Sequence, residues 1–360
     1  MSLQTASNAQ ECGVAEQNGE CRLVEPSDAR WMSFIESRSE ANIFHHPQWT
    51  EVLRKCYGFR PFVLAVKDSD DEIRAGIPVM EIKGILRGCR WTSLPFTDHC
   101  SPLYRDDASV DRLMEGLSSL PAARGVSRTE LRWDMPYPRP LQPSACFKLH
   151  KIALGPDFEA VAARIQNMHK RNVGVAEKKG VRIEWGSTRK HMDAFYQLHL
   201  QTRRRQGVPI QPRRFFKLLV TELMDRGLGS VWLAYKDEKC IAATVFLSWQ
   251  KTLTYKFSAS DTELRSLQPS HLLLWTAIRW GCENGFNMLD LGRTDADNEG
   301  LARFKAGWGA EETTLTYCTM PEKASEPSHG RLAKIVAPVI QKSPPWVCRL
   351  AGELLYKHFG

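Results

Sequence analysis

The residues best suited by type and spacing to do chemistry gather in one short run, Asp290-Leu291-Gly292-Arg293-Thr294, with Lys305 and Trp308 soon after it. An apolar run that ends in Asp-x-Gly-Arg delivers a carboxylate and a guanidinium into a crevice. Asp290 and Arg293 there can orient a reactant and stabilise the charge that develops on it. They can also close an ion pair, Asp290 with Arg293 or with Lys305, that holds a crossover together, and the residues alone leave both readings open. Tyr255 and Tyr317 bring hydroxyl donors to the same stretch, and Lys305 brings a cation able to hold a phosphate or a carboxylate.

The elements that must position these groups follow from periodicity. Leu253, Tyr255 and Phe257 alternate with Thr254, Lys256 and Ser258, as in a half-buried strand. From His271 to Asn284 the apolar residues fall at helical spacing, with Ser270 as the expected N-cap and Gly285 as the stop. Phe286 to Leu291 reads as a buried strand, and Asp297 or Asn298 can cap a second helix that carries Leu301 and Phe304 on one face. Glu312 to Cys318 alternates again. Strand, helix, buried strand, helix, strand is an α/β unit whose ligand site belongs beyond the carboxyl ends of its central strands. Asp290, Gly292 and Arg293 stand there.

Upstream, Trp31 to Arg38 and Pro47 to Cys56 read as helices, Phe62 to Val66 and Ile73 to Ile82 as strands, and Leu113 to Leu120 as a helix. Glu130 to Trp133 and Phe147 to Ile152 are further strands. Phe158 to Glu177 is predicted to be one long basic helix carrying Arg171, and Gly229 to Tyr235 with Cys240 to Ser248 form a hairpin. His45, His46 and His99 have no metal-ligand spacing, which favours turn-capping or ordinary surface histidines. The Asp98-His99 pair, after a Pro-Phe turn, can line a cleft between domains. Residues 321–360 read as a linker and an amphipathic tail, with Val347, Leu350, Leu354 and Phe359 on one surface. Such a tail can lie on a membrane interface or pack back on the protein.

With 360 residues, 42% hydrophobic and 25% charged, the chain is that of an ordinary globular protein with room for two domains. No stretch approaches roughly 18 uninterrupted apolar residues, and the first residues lack the basic start and apolar core of a secretory signal. The 10 cysteines show no paired or metal-binding interval, as expected of reduced cysteines in a cytoplasmic protein. A net charge of +8 favours anionic partners: a phosphate-bearing substrate, a nucleic acid or an anionic membrane. The basic clusters, Lys170-Arg171, Arg203-Arg204-Arg205 and Arg213-Arg214, are not interleaved with aromatics as in nucleic-acid modules.

The series Asp290-x-Gly292-Arg293 with Phe304-Lys305-x-x-Trp308-Gly309 resembles the C-terminal half of GNAT-type acyltransferases of the FemAB-like group, in its exopolysaccharide- or exosortase-associated branch. Phe44 with Pro47-x-Trp49, Tyr57-Gly58, Ile77-Pro78 and Leu94-Pro95-Phe96 resemble the N-terminal half. The resemblance covers roughly residues 30–318 and implies two tandem GNAT-like domains of mixed α/β type, at 22–153 and 154–320, between a disordered start (1–21) and the tail (321–360). It implies acyl transfer to an amine or hydroxyl of a cell-envelope or exopolysaccharide precursor, a small-molecule or lipid-linked glycan. The co-substrate would be an acyl-CoA or an aminoacyl-tRNA, with no resident cofactor and no metal. Asp290, Arg293 and Tyr255 would be catalytic, and Lys305, Tyr317, Trp308 and Arg171 would bind substrate. The tail would give peripheral contact with the inner membrane. Leu267-Gln268-Pro269-Ser270 departs from the Gly-rich phosphate loop of ordinary GNAT proteins, and Pro269 removes one amide donor. No Ser/His/Asp or Cys/His arrangement is legible, so the expected transfer is direct, without a covalent enzyme intermediate. An aminoacyl-tRNA-dependent peptidoglycan-type enzyme and a catalytically inactive scaffold for envelope assembly are the alternatives.

Overall fold

The computed structural model describes residues 20–84, 88–133, 142–320 and 337–356. Its strands are β1 (Glu20–Val24), β2 (Arg60–Lys67), β3 (Ile73–Gly84), β4 (Gly88–Thr92), β5 (Leu103–Tyr104), β6 (Val126–Leu131), β7 (Gln142–Ala153), β8 (Val181–Gly186), β9 (Gly229–Lys236), β10 (Lys239–Trp249), β11 (Thr252–Ser260), β12 (Met288–Asp295) and β13 (Glu311–Met320). Its helices are α1 (Ala29–Glu36), α2 (Pro47–Tyr57), α3 (Asp107–Ala123), α4 (Phe158–Ala163), α5 (Asn167–Lys178), α6 (Arg189–Gln206), α7 (Arg213–Leu218), α8 (Pro269–Glu283), α9 (Glu299–Ala306) and α10 (Pro345–Leu355). A single mixed sheet runs β1-β2-β3-β4-β6-β13-β7-β12-β11-β10-β9-β8, with β5 beside β3. The mixed α/β class expected from the sequence is the class observed.

The sheet is continuous because β13, last in the chain, stands between β6 and β7 and pairs antiparallel with both. A strand from the C-terminal half thus seals the edge that each half would otherwise expose at the centre. Apolar packing joins the halves as well. One core cluster contains Phe44, Trp49 and Leu94 together with Phe195, Phe215 and Val245.

Local sequence explains most element ends. In α2, Pro47 occupies the first turn, the His46 ring accepts from the Gln48 N–H, and Gly58 closes the helix at φ 75°. Asn298 caps α9 by accepting from the Leu301 N–H. Three expectations are corrected. The long helix expected from Phe158 to Glu177 is two, α4 and α5, because the Gln166 N–H is turned out to the Gly307 carbonyl. Ser270 is not the N-cap of α8: the helix starts two residues earlier than expected, with Pro269 at its first position and Gln268 as cap at φ 55°. Glu20 and Cys21, expected in the disordered start, lie in β1 and pair with Lys67 and Val66.

The last helical segment folds back on the body. Cys348 is buried against α6, and Tyr356 lies 4.9 Å from the Phe96 ring. Val347 is half-buried, while Phe359 lies outside the described residues.

Candidate active site

Two neighbouring strands part at the centre of the sheet. β11 and β12 pair in parallel over Thr252↔Met288, Leu253↔Leu289 and Thr254↔Asp290, and there the pairing ends. Both strands are irregular just past that point. In β11 the register runs from Phe246↔Tyr255 to Val245↔Phe257, so Lys256 is an extra, unpaired residue. In β12 it runs from Asp290↔Lys151 to Arg293↔Leu149, with Gly292 at φ 69°. Residues three apart on a regular strand face opposite ways. The bulge at Gly292 turns Asp290 and Arg293 to the same face, which is why this Asp-x-Gly-Arg run works as a unit.

The parted strands receive a loop from the N-terminal half, residues 93–100. Leu94 (φ 66°) and Phe96 (φ 59°) hold left-handed backbone conformations that non-glycine residues rarely adopt, a strain of order 1–3 kcal/mol each. The loop is fixed from several directions. The Trp49 indole donates to Thr97 Oγ1 at 2.8 Å, Arg132 donates to the Thr97 carbonyl, and Tyr317 Oη donates to the Asp98 carbonyl at 2.5 Å. This anchoring delivers Asp98 and His99 to β11 and β12. A Cβ on Gly292 would lie 3.0 Å from Asp98 Oδ2, so glycine is what permits the close approach.

His99 and Asp290 form the centre. His99 Nε2 donates to Asp290 Oδ2 at 2.6 Å, and the Gly292 N–H donates to Asp290 Oδ1 at 2.7 Å. Burial pushes the Asp290 carboxyl up, but the His99 charge and hydrogen bond, Lys151 and the Gly292 amide outweigh it and hold the group at about 2. Asp290 is thus a carboxylate at all ordinary pH. It fixes the imidazole with its proton on Nε2 and leaves Nδ1 as the atom able to take another.

Cations surround this pair. Lys256 Nζ donates to the Phe96 carbonyl at 2.9 Å, lies 3.4 Å from Asp98 Oδ2 and sits over the Phe44 and Trp49 rings. Burial pulls its ammonium pKa down, and Asp98 partly restores it. Arg293 lies 4.1 Å over Phe147 and 5.3 Å over Tyr317. Among the described residues no carboxylate lies within ion-pairing distance of its guanidinium. The half-buried Arg293 therefore has its side chain oriented by two rings and its N–H groups uncommitted.

Lys305 approaches from α9. Its Nζ donates to the carbonyls of Gly292 (2.9 Å) and Arg293 (3.0 Å), clamping the bulge that aims the pair. The ion pairs considered for Asp290, with Arg293 or with Lys305, are not formed, and His99 is its partner. Burial pulls Lys305 down to about 8, against the attraction of Asp98, Asp290 and Asp295. An unfolded lysine titrates at about 10.4. Between those values the unfolded chain holds a proton that the folded chain has released, so Lys305 makes stability rise with pH from about 8 to 10. Lys305→Met removes that rise, worth up to about 1.4 kcal/mol per pH unit, in urea unfolding of both proteins at pH 7.5 and 9.5, values on either side of about 8.

The remaining sequence candidates are dispersed. Tyr317 is buried in the cluster. Tyr255 points to the opposite face of the sheet, against Phe246, because β11 alternates and its bulge lies one residue further on. Trp308 is fully buried and stacked on His169, with ring centroids 4.8 Å apart. Arg171 is exposed on α5. His45 and His46 cap local turns, accepting from the Asn42 and Gln48 amides. Lys256, Phe147 and Arg132 were not singled out from the sequence; a lysine inside an alternating strand was the only signal of the first. Two surface clefts, about 790 and 470 Å³, flank α6 and contain none of the clustered groups. The converging charges, paired imidazole and doubled bulge mark the parted strands as the chemical centre instead.

The comparisons with known proteins agree with this architecture. Residues 163–306 match the family described as an acetyltransferase (GNAT) domain. No curated protein matches the chain in sequence. Among solved structures, FemX is similar at 13% identity and TM-score 0.64, over 82% of this chain and 96% of that one. The C-terminal domain assigned as a lysylphosphatidylglycerol synthetase from Agrobacterium fabrum is similar at 14% identity and TM-score 0.53, over 86% of this chain and 95% of that one. A tandem GNAT protein from the clavulanic acid biosynthesis pathway is similar at 12% identity and TM-score 0.51, over 84% and 98%. Residues 163–306 thus form a GNAT-type acetyltransferase domain, within a fold shared with these structures. Beyond the matched domain the chain shares its fold with FemX, and one sheet runs through both halves. No described helix is long and apolar enough to cross a membrane.

Proposed function

We propose that the chain transfers an acyl or aminoacyl group to an amine or hydroxyl of an anionic cell-envelope or exopolysaccharide precursor, with His99 as general base. The observation that carries this reading is the buried His99–Asp290 pair on the same face as Arg293. Acyl transfer from a thioester or ester requires the acceptor to lose a proton as the new bond forms. The acceptor nitrogen or oxygen attacks the acyl carbon, His99 Nδ1 takes its proton, and the bond to the departing sulfur or oxygen breaks. Asp290 orients the imidazole and balances the imidazolium formed. Arg293 binds the phosphate or carboxylate of the reactant, and Tyr317 and Lys305 hold the loop and the bulge in place.

Direct transfer fits the surroundings. Cys100, next to His99, is fully buried, and burial pushes its thiol pKa up, so it is no nucleophile. The donor is an acyl-CoA or an aminoacyl-tRNA; the +8 charge suits the phosphates of either. An anionic acceptor accords with the likeness to a domain assigned as a lysylphosphatidylglycerol synthetase.

Arg293→Ala tests the anion site. Thermal unfolding of wild type and variant is followed with acetyl-CoA, a longer acyl-CoA and aminoacyl-tRNA. The wild type gains about 3 kcal/mol of stability at a hundredfold excess of ligand over Kd. The variant unfolds like the wild type without ligand and loses most of that gain. Equal gains in both proteins would place the anion elsewhere.

A further inference from the structure

The helix α10 has two apolar faces, and only one is used. Its inner face is docked tightly enough that a Cβ on Gly352 would overlap the Ile210 carbonyl. On its outer face Trp346, Leu350 and Leu354 recur every four residues, a single stripe along the helix, and are 61%, 50% and 59% exposed. Val339, from the helical stretch 337–342 before it, is 57% exposed. An apolar stripe of this kind on a docked helix has a binding role more often than scattered single residues do.

Charge surrounds the stripe. Arg349 and Lys342 are exposed on the same segment, and Arg214 and Lys217 are exposed on α7, whose Arg213 bonds Glu353 of α10. The acids nearby are largely engaged: Arg213 pairs with Asp193, and the Arg213 N–H is bonded by Glu353 of α10, leaving Asp225 exposed. These elements also border the cleft of about 470 Å³ between α6 and α7, whose walls include Met192, Tyr196, Phe216 and Val220.

We propose that the outer face of α10, with the cationic rim of α7, docks onto an anionic phospholipid bilayer. Trp346, Leu350 and Leu354 enter the interface, where an indole is at home. Arg349, Lys342 and Lys217 meet lipid phosphates. A second copy of the chain fits the face poorly, since a twofold contact would set one cationic rim against another. The docked helix also touches the active-site loop: Tyr356 lies against Phe96, two residues before Asp98. A bilayer-held enzyme would thus meet a lipid-linked acceptor at that loop, a point that rests on the proposed acyl transfer, whereas the docking itself does not.

The test is co-sedimentation of the full chain with vesicles of phosphatidylcholine alone and of phosphatidylcholine with phosphatidylglycerol, at low and high salt. The comparison protein carries Trp346→Ser, Leu350→Ser and Leu354→Ser, and a matching melting curve shows that it is folded. Wild type partitions onto the anionic vesicles, salt weakens this, and the triple variant binds about tenfold less or weaker still. Equal partitioning of the two proteins, or none by wild type, overturns the proposal. So does a wild-type dimer in sedimentation velocity that the triple variant dissociates without any vesicle binding. Because the readout is binding, a failure here is distinct from a failure of acyl transfer.

Discussion

His99→Gln lowers the rate of acyl transfer by about 10²–10⁴-fold while the chain stays folded. Glutamine fills much of the imidazole's volume, and its amide can still donate to Asp290, so the buried carboxylate keeps a partner. What it lacks is an atom that can accept a proton at neutral pH. Asp290→Asn separates orientation from proton acceptance. It leaves a neutral amide 2.6 Å from His99 Nε2, so the ring loses both its fixed tautomer and the charge that balances an imidazolium. The rate falls again, and the acid side of the stability curve changes with it. Asp290 titrates at about 2 in the folded protein and at about 3.9 when unfolded. Its stabilisation is therefore present above about pH 4 and fades as pH drops toward 2, and the Asn variant lacks that dependence. A purely structural pair would show the stability changes with no loss of rate in His99→Gln.

Gly292→Val has the largest expected effect on the fold. The residue sits at φ 69°, where a β-branched side chain is strained, and a Cβ would already lie 3.0 Å from Asp98 Oδ2. Strain and displacement of the Asp98–Lys256 pair together cost about 2–4 kcal/mol, read as a lower urea midpoint. Gly292→Ala costs less, since only the backbone preference and the first carbon are at stake. Both variants disturb the bulge that brings Asp290 and Arg293 to one face, so activity falls further than stability accounts for. Wild-type stability in Gly292→Val would mean that the close approach of loop 93–100 carries no energy.

Much of this centre was legible beforehand because it rests on local patterns. The alternation of Leu253 to Phe257, the helical spacing of His271 to Asn284 and the Asp-x-Gly-Arg terminus each reflect a short-range rule, and β11, α8 and β12 follow them. What escaped depends on contacts between distant residues. Nothing near Asp290 names His99 as its partner, because 191 positions separate them and only the folding of the N-terminal loop between β11 and β12 brings them together. Tyr255 was grouped with Asp290 by proximity in sequence, but alternation sends it to the far face. Lys256 follows it on the near face, but nothing in the sequence marks Asp98 as its partner, because a distant loop supplies that contact. Trp308 belongs to a long, spaced motif, yet its place is full burial beside His169, where it shapes the wall behind α9.

The most direct measurement is acyl transfer itself by the full-length chain. Acetyl-CoA, a longer acyl-CoA and aminoacyl-tRNA are offered in turn with an amine-bearing sugar-phosphate acceptor, and the product is read by mass. Wild type turns over one donor class, and His99→Gln loses that turnover at unchanged melting temperature. Turnover that His99→Gln retains, or an acylated chain accumulating during the reaction, would contradict direct transfer with His99 as general base.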